Sequence, residues 1–171
     1  MQNYFELFDL KTSFFVDDDA LKKAYQAQVT RFHPDNFATK SQAEQLQALQ
    51  NTSLVNSAYT ALKTPLNRAS YLLNLEDVNP FDEKDTNMDT NFLVSQIELR
   101  EQLESIKEQQ DNLALDDFIE RVQDFIRDNV ASISEAFTQS RDLQEIKTLV
   151  RELKFYEQLN KEANILMDEW L

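Results

Sequence analysis

The sequence predicts an all-α protein built as two helical units, and three observations carry that reading. Apolar residues recur three and four positions apart through most of the chain, the period that lines one face of a helix. Its prolines, Pro34, Pro65 and Pro80, fall where that period is interrupted. Charge is divided unevenly: residues 1–75 carry seven Lys+Arg and seven Asp+Glu, whereas residues 76–171 carry ten against twenty-four and supply the whole net charge of −14.

The first unit is expected over residues 1–75. Tyr4, Phe5, Leu7 and Phe8 form a short apolar helix, followed by a loop from Lys11 to Val16. Asp17 to Asp19 supply an N-cap and favourable first-turn charge for a second helix running to Phe32, with Leu21, Ala24, Tyr25, Gln28 and Phe32 at helical spacing. Pro34 stops that helix, because its ring clashes with the preceding turn and pushes His33 out of the helical region. Ser41-Gln42-Ala43-Glu44 is a capping box that opens a third helix to about Leu62, striped by Leu46, Leu49, Val55, Ala58, Tyr59 and Leu62. Thr64 and Pro65 cap and begin a fourth, Leu66 to Leu73, with Asn74 as its left-handed C-cap. His33-Pro34-Asp35, containing the only histidine of the chain, therefore stands on a short exposed loop between two packed helices.

Residues 76–88 are polar, hold Pro80 and show no period, and are read as a linker. The second unit, residues 89–171, is expected to be a three-helix bundle. Its helices run from about Thr90 to Gln109, Leu115 to Phe137 and Arg141 to Trp170. Phe118, Val122, Phe125, Ile126, Ile133 and Phe137 stripe the second of them, and Ile146, Leu149, Val150, Leu153, Tyr156 and Met167 the third, with Trp170 closing one end of the core.

Composition excludes several kinds of chemistry. Without cysteine there is no disulfide, thiol nucleophile or thiolate metal ligand. Without glycine there is no GxGxxG or GxxxxGK phosphate cradle. One histidine cannot build a histidine-rich metal site, and the scattered carboxylates fall at the spacing of solvated helix faces. No catalytic residue, metal site or cofactor is expected, and the chain reads as a non-enzyme. No cationic cluster points to nucleic acid. No apolar run is long enough to cross a membrane and no basic-then-apolar leader precedes Tyr4, so a cytoplasmic location is expected.

One face of the bundle is left over. In its first helix Phe92, Leu99, Leu103 and Ile106 share one side, whereas Leu93, Val94, Ile97, Glu98 and Glu101 point roughly 150° away. In the third helix Phe155, Leu159 and Leu166 likewise fall off the main stripe. Apolar side chains rimmed by carboxylates have the character of a protein-binding patch.

The order helix, HPD loop, helix, with a short helix before it and Phe37 after it, resembles the J domain that stimulates DnaK-type chaperones. Together His33-Pro34-Asp35-Asn36-Phe37, Asn56 to Leu73 (NSAYTALKTPLNRASYLL) and Asp89 to Glu104 (DTNFLVSQIELREQLE) resemble the HscB family along the whole chain. That family is the J-type co-chaperone of iron–sulfur cluster assembly, a J domain followed by an acidic three-helix bundle. The resemblance implies that His33, Pro34, Asp35, Tyr25, Lys22 and Lys23 engage a specialised DnaK-type chaperone (HscA-like). It places contacts to an iron–sulfur scaffold protein (IscU-like) at Leu93, Val94, Ile97, Glu98, Glu101 and Phe155. Two positions depart from the common J pattern: Asn36 stands where a basic residue is usual, and Gln26-Ala27 where a basic pair is usual. The alternative reading is a helical adaptor whose HPD loop is incidental.

Overall fold

The computed structural model describes residues 3–82, 84–85 and 88–171. Seven α-helices and one 3-10 turn make up its regular structure, and there is no strand among the described residues. The chain divides into two compact units, residues 1–75 and 76–171.

In the first unit α1 (Tyr4–Leu7) is opened by a capping box in which Asn3 and Glu6 exchange side-chain-to-backbone hydrogen bonds. Helix α2 (Asp18–Arg31) begins at Asp17, whose carboxylate accepts the Asp19 and Ala20 amides, and ends at Phe32. Helix α3 (Gln42–Lys63) starts at the expected box, with Ser41 and Glu44 satisfying each other's backbone amides. Thr64 turns extended and accepts the Asn67 amide on its hydroxyl, and α4 (Pro65–Leu75) follows at once. Phe5, Phe8, Leu21, Val55, Ala58, Leu62, Ala69 and Leu73 form the core between these helices.

Two expectations for this unit are corrected, and one contact is added. Leu46 and Leu49 are not part of the buried stripe of α3: they are 56% and 63% exposed, and Ala48 faces inward in their place. Asn74 is not the left-handed cap, because α4 continues to Leu75 and the positive φ falls on Asp77, at 59°. Aspartate tolerates that region because its short polar side chain can bond locally. The loop from Lys11 to Val16 is tied inward by an unexpected buried cation. Arg68 donates from Nε to the Phe14 carbonyl at 2.6 Å and from Nη1 to the Leu62 carbonyl at 2.9 Å, with its guanidinium over the Phe14 ring. Burial lowers the pKa of Arg68 while the charge of Asp18 opposes the shift.

The second unit is a bundle of α5 (Thr90–Gln109), α6 (Asn112–Thr138) and α7 (Leu143–Glu169). Helix α6 starts three residues before the expected Leu115, because Asp111 caps it through the Ala114 amide. With no glycine to take left-handed turns, Gln110 between α5 and α6 and Arg141 between α6 and α7 adopt φ of 51° and 50°. Phe92, Leu99 and Leu103 of α5 pack with Leu115, Phe118 and Val122 of α6 and with Phe155, Leu159 and Leu166 of α7, and Trp170 lies half-buried against this cluster. Phe125, expected in the stripe of α6, is 38% exposed and stacks on Tyr156 instead.

Residues 76–88 belong to this unit, so the described part of the expected linker is a strap on the bundle. Pro80 is buried, the Lys154 ammonium sits 4.3 Å over the Phe81 ring, and Asp85 pairs with Lys147 and with Arg151. Met88 packs against the bundle core. Polarity alone misreads such a segment, because its anchors are single residues without a period.

Candidate functional site

The first candidate site is the turn between α2 and α3. Pro34–Phe37 forms one 3-10 turn rather than an irregular loop, and its N-cap is His33. The Asp35 amide donates to His33 Nδ1 at 3.2 Å. Asp35 Oδ2 lies 3.6 Å from the same nitrogen, and Nδ1 cannot accept from the amide while donating to the carboxylate. With the amide on Nδ1, the imidazole ties the turn to its own backbone. The Asp35 carboxylate is 91% exposed.

Asn36, where a basic residue is usual, has a structural use. Its Nδ2 donates to the Thr30 carbonyl at 2.7 Å, satisfying an end carbonyl of α2 and fastening the turn to the helix that precedes it. The sequence signal for this was the side-chain amide two positions after Pro34, at a helix end with orphan carbonyls. Thr52 of α3 shares its one hydroxyl proton between the Ala48 carbonyl of its own helix at 2.9 Å and the Phe32 carbonyl at 3.3 Å, so the end of α2 that leads into the turn is also held to α3.

Of the flanking residues, Lys22 and Lys23 project from α2 into solvent. Tyr25 is half-buried. Its ring stacks on Tyr59 of α3 with centroids 4.1 Å apart, and its hydroxyl donates to Asn56 Oδ1 at 2.7 Å, so it clasps the hairpin as well as bordering the charged face.

The second candidate site is the outer face of α5. Leu93, Val94 and Ile97 are 41%, 49% and 58% exposed, and Glu98 and Glu101 are exposed beside them. Phe92, next to Leu93, and Leu99, next to Glu98, are buried, so the helix carries two apolar faces and the bundle uses one.

Phe155 does not stand on that outer surface. It is 8% exposed, meets the Phe92 ring edge-on at 5.8 Å, and carries the Arg100 guanidinium 5.4 Å above its ring. Leu159 and Leu166 are core as well. A 27-residue helix between two neighbours needs a stripe wider than one row, so residues off the main row on α7 meet α5. Arg100 also pairs with Glu162 of α7 at 3.1 Å, and the Tyr156 ring meets Phe92 edge-on. Phe155 therefore seats α5 and positions its outer face.

Near this contact lie a half-buried Glu152 and the buried Asn129, whose Nδ2 donates to Glu152 Oε2 at 3.4 Å. Burial, and secondarily the charge of Asp89, raises the pKa of Glu152, and burial does the same for Glu157. No group of histidine, aspartate and glutamate among the described residues could hold a metal ion, and no described helix is long and apolar enough to cross a membrane.

Comparison with known proteins covers both units. Residues 3–71 match the family model described as the DnaJ domain, and residues 88–164 match that of the HSCB C-terminal oligomerisation domain. A protein named as a co-chaperone protein HscB homolog from Vibrio campbellii is 38% identical over 170 residues, 99% of each chain. The solved structure of the chaperone HscB from Vibrio cholerae is 38% identical and superposes with a TM-score of 0.89, covering 99% of this chain and 100% of that one. The human co-chaperone protein HscB superposes with a TM-score of 0.89 at 30% identity, over 96% of this chain and 82% of its own.

Proposed function

The chain belongs to the HscB family of J-domain co-chaperones, and from that premise we propose that it stimulates ATP hydrolysis by a specialised DnaK-type chaperone and delivers an iron–sulfur scaffold protein to it. An Hsp70-type partner follows from the J domain. The finer identities, an HscA-like chaperone and an IscU-like scaffold in the maturation of iron–sulfur proteins in the cytoplasm, belong to the proposal. In this reading the protein has no catalytic group of its own.

The observation that carries it is the Asp35 carboxylate, exposed on a turn bound to both flanking helices. Such a group accepts a bidentate arginine from a partner without the entropic cost of ordering a loop, an interaction of about 1.5–3 kcal/mol. Lys22, Lys23 and Tyr25 supply flanking contacts from α2. On the bundle, Leu93, Val94 and Ile97 are the scaffold anchors and Glu98 and Glu101 set charge complementarity, with Phe155 holding α5 in place beneath them.

The test is steady-state ATP turnover of an HscA-like chaperone with Asp35→Asn or His33→Gln. Both variants are expected to lose stimulation while keeping the circular dichroism of the parent, and Asp35→Asn its melting temperature as well, because exposed substitutions away from caps shift stability by about 0.5 kcal/mol or less. Full stimulation by either variant would show that the HPD turn is not the stimulating contact, and no stimulation by the parent protein would favour the helical adaptor with an incidental HPD turn.

A further inference from the structure

Beside the HPD turn the structure holds a groove that its own unit leaves open. Phe32, Pro34, Phe37, Ala48, Leu49 and Thr52 line an opening of about 300 Å³ between the 3-10 turn and the first half of α3. No charged side chain lines it, in a chain of which 28% of residues are charged. Its polar rim is already occupied. Thr52 bonds the Phe32 and Ala48 carbonyls, and Gln45 Nε2 donates to the Lys40 carbonyl at 3.1 Å. What faces the opening is therefore mostly carbon. Leu49 is 63% exposed, and Leu46, one turn earlier on α3, is 56% exposed.

Leu46 and Leu49 have the spacing of core residues and none of the burial. Continuity identifies the occupant, since Pro34 belongs both to the HPD turn and to the groove wall. A partner that seats a cation on the Asp35 carboxylate comes down with its neighbouring surface over this opening. Apolar walls with satisfied polar groups reward an aliphatic side chain and penalise a charged one.

We infer that this groove receives an aliphatic side chain of the same DnaK-type chaperone that engages Asp35, making Leu49, with Leu46 beside it, an affinity and specificity determinant on α3. The inference rests on the chaperone reading above and divides the labour within it. Asp35 supplies the contact on which stimulation depends, and the groove supplies affinity and selects a chaperone with an apolar residue at the facing position.

The experiment titrates the full-length protein into a purified HscA-like chaperone and reads the plateau of ATP turnover separately from the concentration giving half of it. Leu49→Ser is expected to raise the half-maximal concentration about five- to tenfold while leaving the plateau and the melting temperature at parental values. Leu49→Met, which keeps the apolar wall, should stay within about twofold of the parent. Asp35→Asn should lose the plateau itself. An unchanged half-maximal concentration for Leu49→Ser, with Asp35→Asn inactive, would overturn the groove assignment and leave the chaperone reading standing. A melting temperature lowered by several degrees in Leu49→Ser, with unchanged half-maximal concentration, would overturn it too, by showing that the chain itself covers the groove. Full stimulation by Asp35→Asn would remove the HPD turn as the stimulating contact and the groove assignment with it, whereas no stimulation by the parent protein would bring down the chaperone reading.

Discussion

The HPD turn and the outer face of α5 are both exposed, but different forces make them available. The turn is polar and held by backbone chemistry: the His33 imidazole caps it, Asn36 fastens it to α2 and Thr52 fastens it to α3. None of these bonds draws on the hydrophobic core, so the contact residues can change without unfolding the unit. The α5 face is apolar, and its orientation depends on the opposite side of the same helix, where Phe92 meets Phe155 and Tyr156. Binding and stability are separable at the turn and coupled through one helix in the bundle.

The sharpest way to break that contrast is Phe155→Ala. As a core aromatic under α5 it should cost about 3–5 kcal/mol of bundle stability, and scaffold affinity should fall with it because α5 loses its seat. Parallel melting and binding calorimetry distinguish this from direct contact, which would lower affinity with a parental melting temperature. Next in size is Arg68→Ala, which removes the donors to the Phe14 and Leu62 carbonyls and leaves both without those bonds. A loss of about 2–3 kcal/mol in the first unit is expected in urea melts, with the bundle transition unmoved.

Leu93→Ala combined with Ile97→Ala tests the coupled face from its outer side. Scaffold affinity should fall about five- to thirtyfold, equivalent to about 1–2 kcal/mol, while the melting temperature stays close to the parent. A collapsed melting temperature with intact affinity would instead assign these residues to a packed surface. The smallest effect is expected from Glu152→Gln. Since the pKa of Glu152 is raised in the folded bundle, the folded state holds its proton more tightly than the unfolded state, and stability falls as pH rises from the ordinary carboxylate range through the raised value. The variant should therefore melt above the parent at neutral pH and lose that advantage in acid, where Glu152 of the parent is protonated in both the folded and the unfolded state. A parental melting temperature at neutral pH would show that the buried charge is relieved by its surroundings.

The sequence by itself determined most of the helix boundaries, because capping and proline effects act within a few residues, and it missed the start of α6 and the cap of α4. Asp17, the Ser41–Glu44 box and Thr64 with Pro65 all act in the structure as their spacing indicates. The two faces of α5 were legible for the same reason, since a helix with neighbours on one side buries one stripe. The tertiary structure decided which apolar residues each neighbour covers, a question of packing partners distant in sequence. Period placed Leu46 and Leu49 inside and Phe155 outside, and the positions of the HPD turn and of α5 reversed both. It also decided where isolated residues find unique partners, as Arg68 does with two carbonyls and Asp85 with Lys147 and Arg151. Such contacts have no repeat in the chain, and only the fold brings their two ends together.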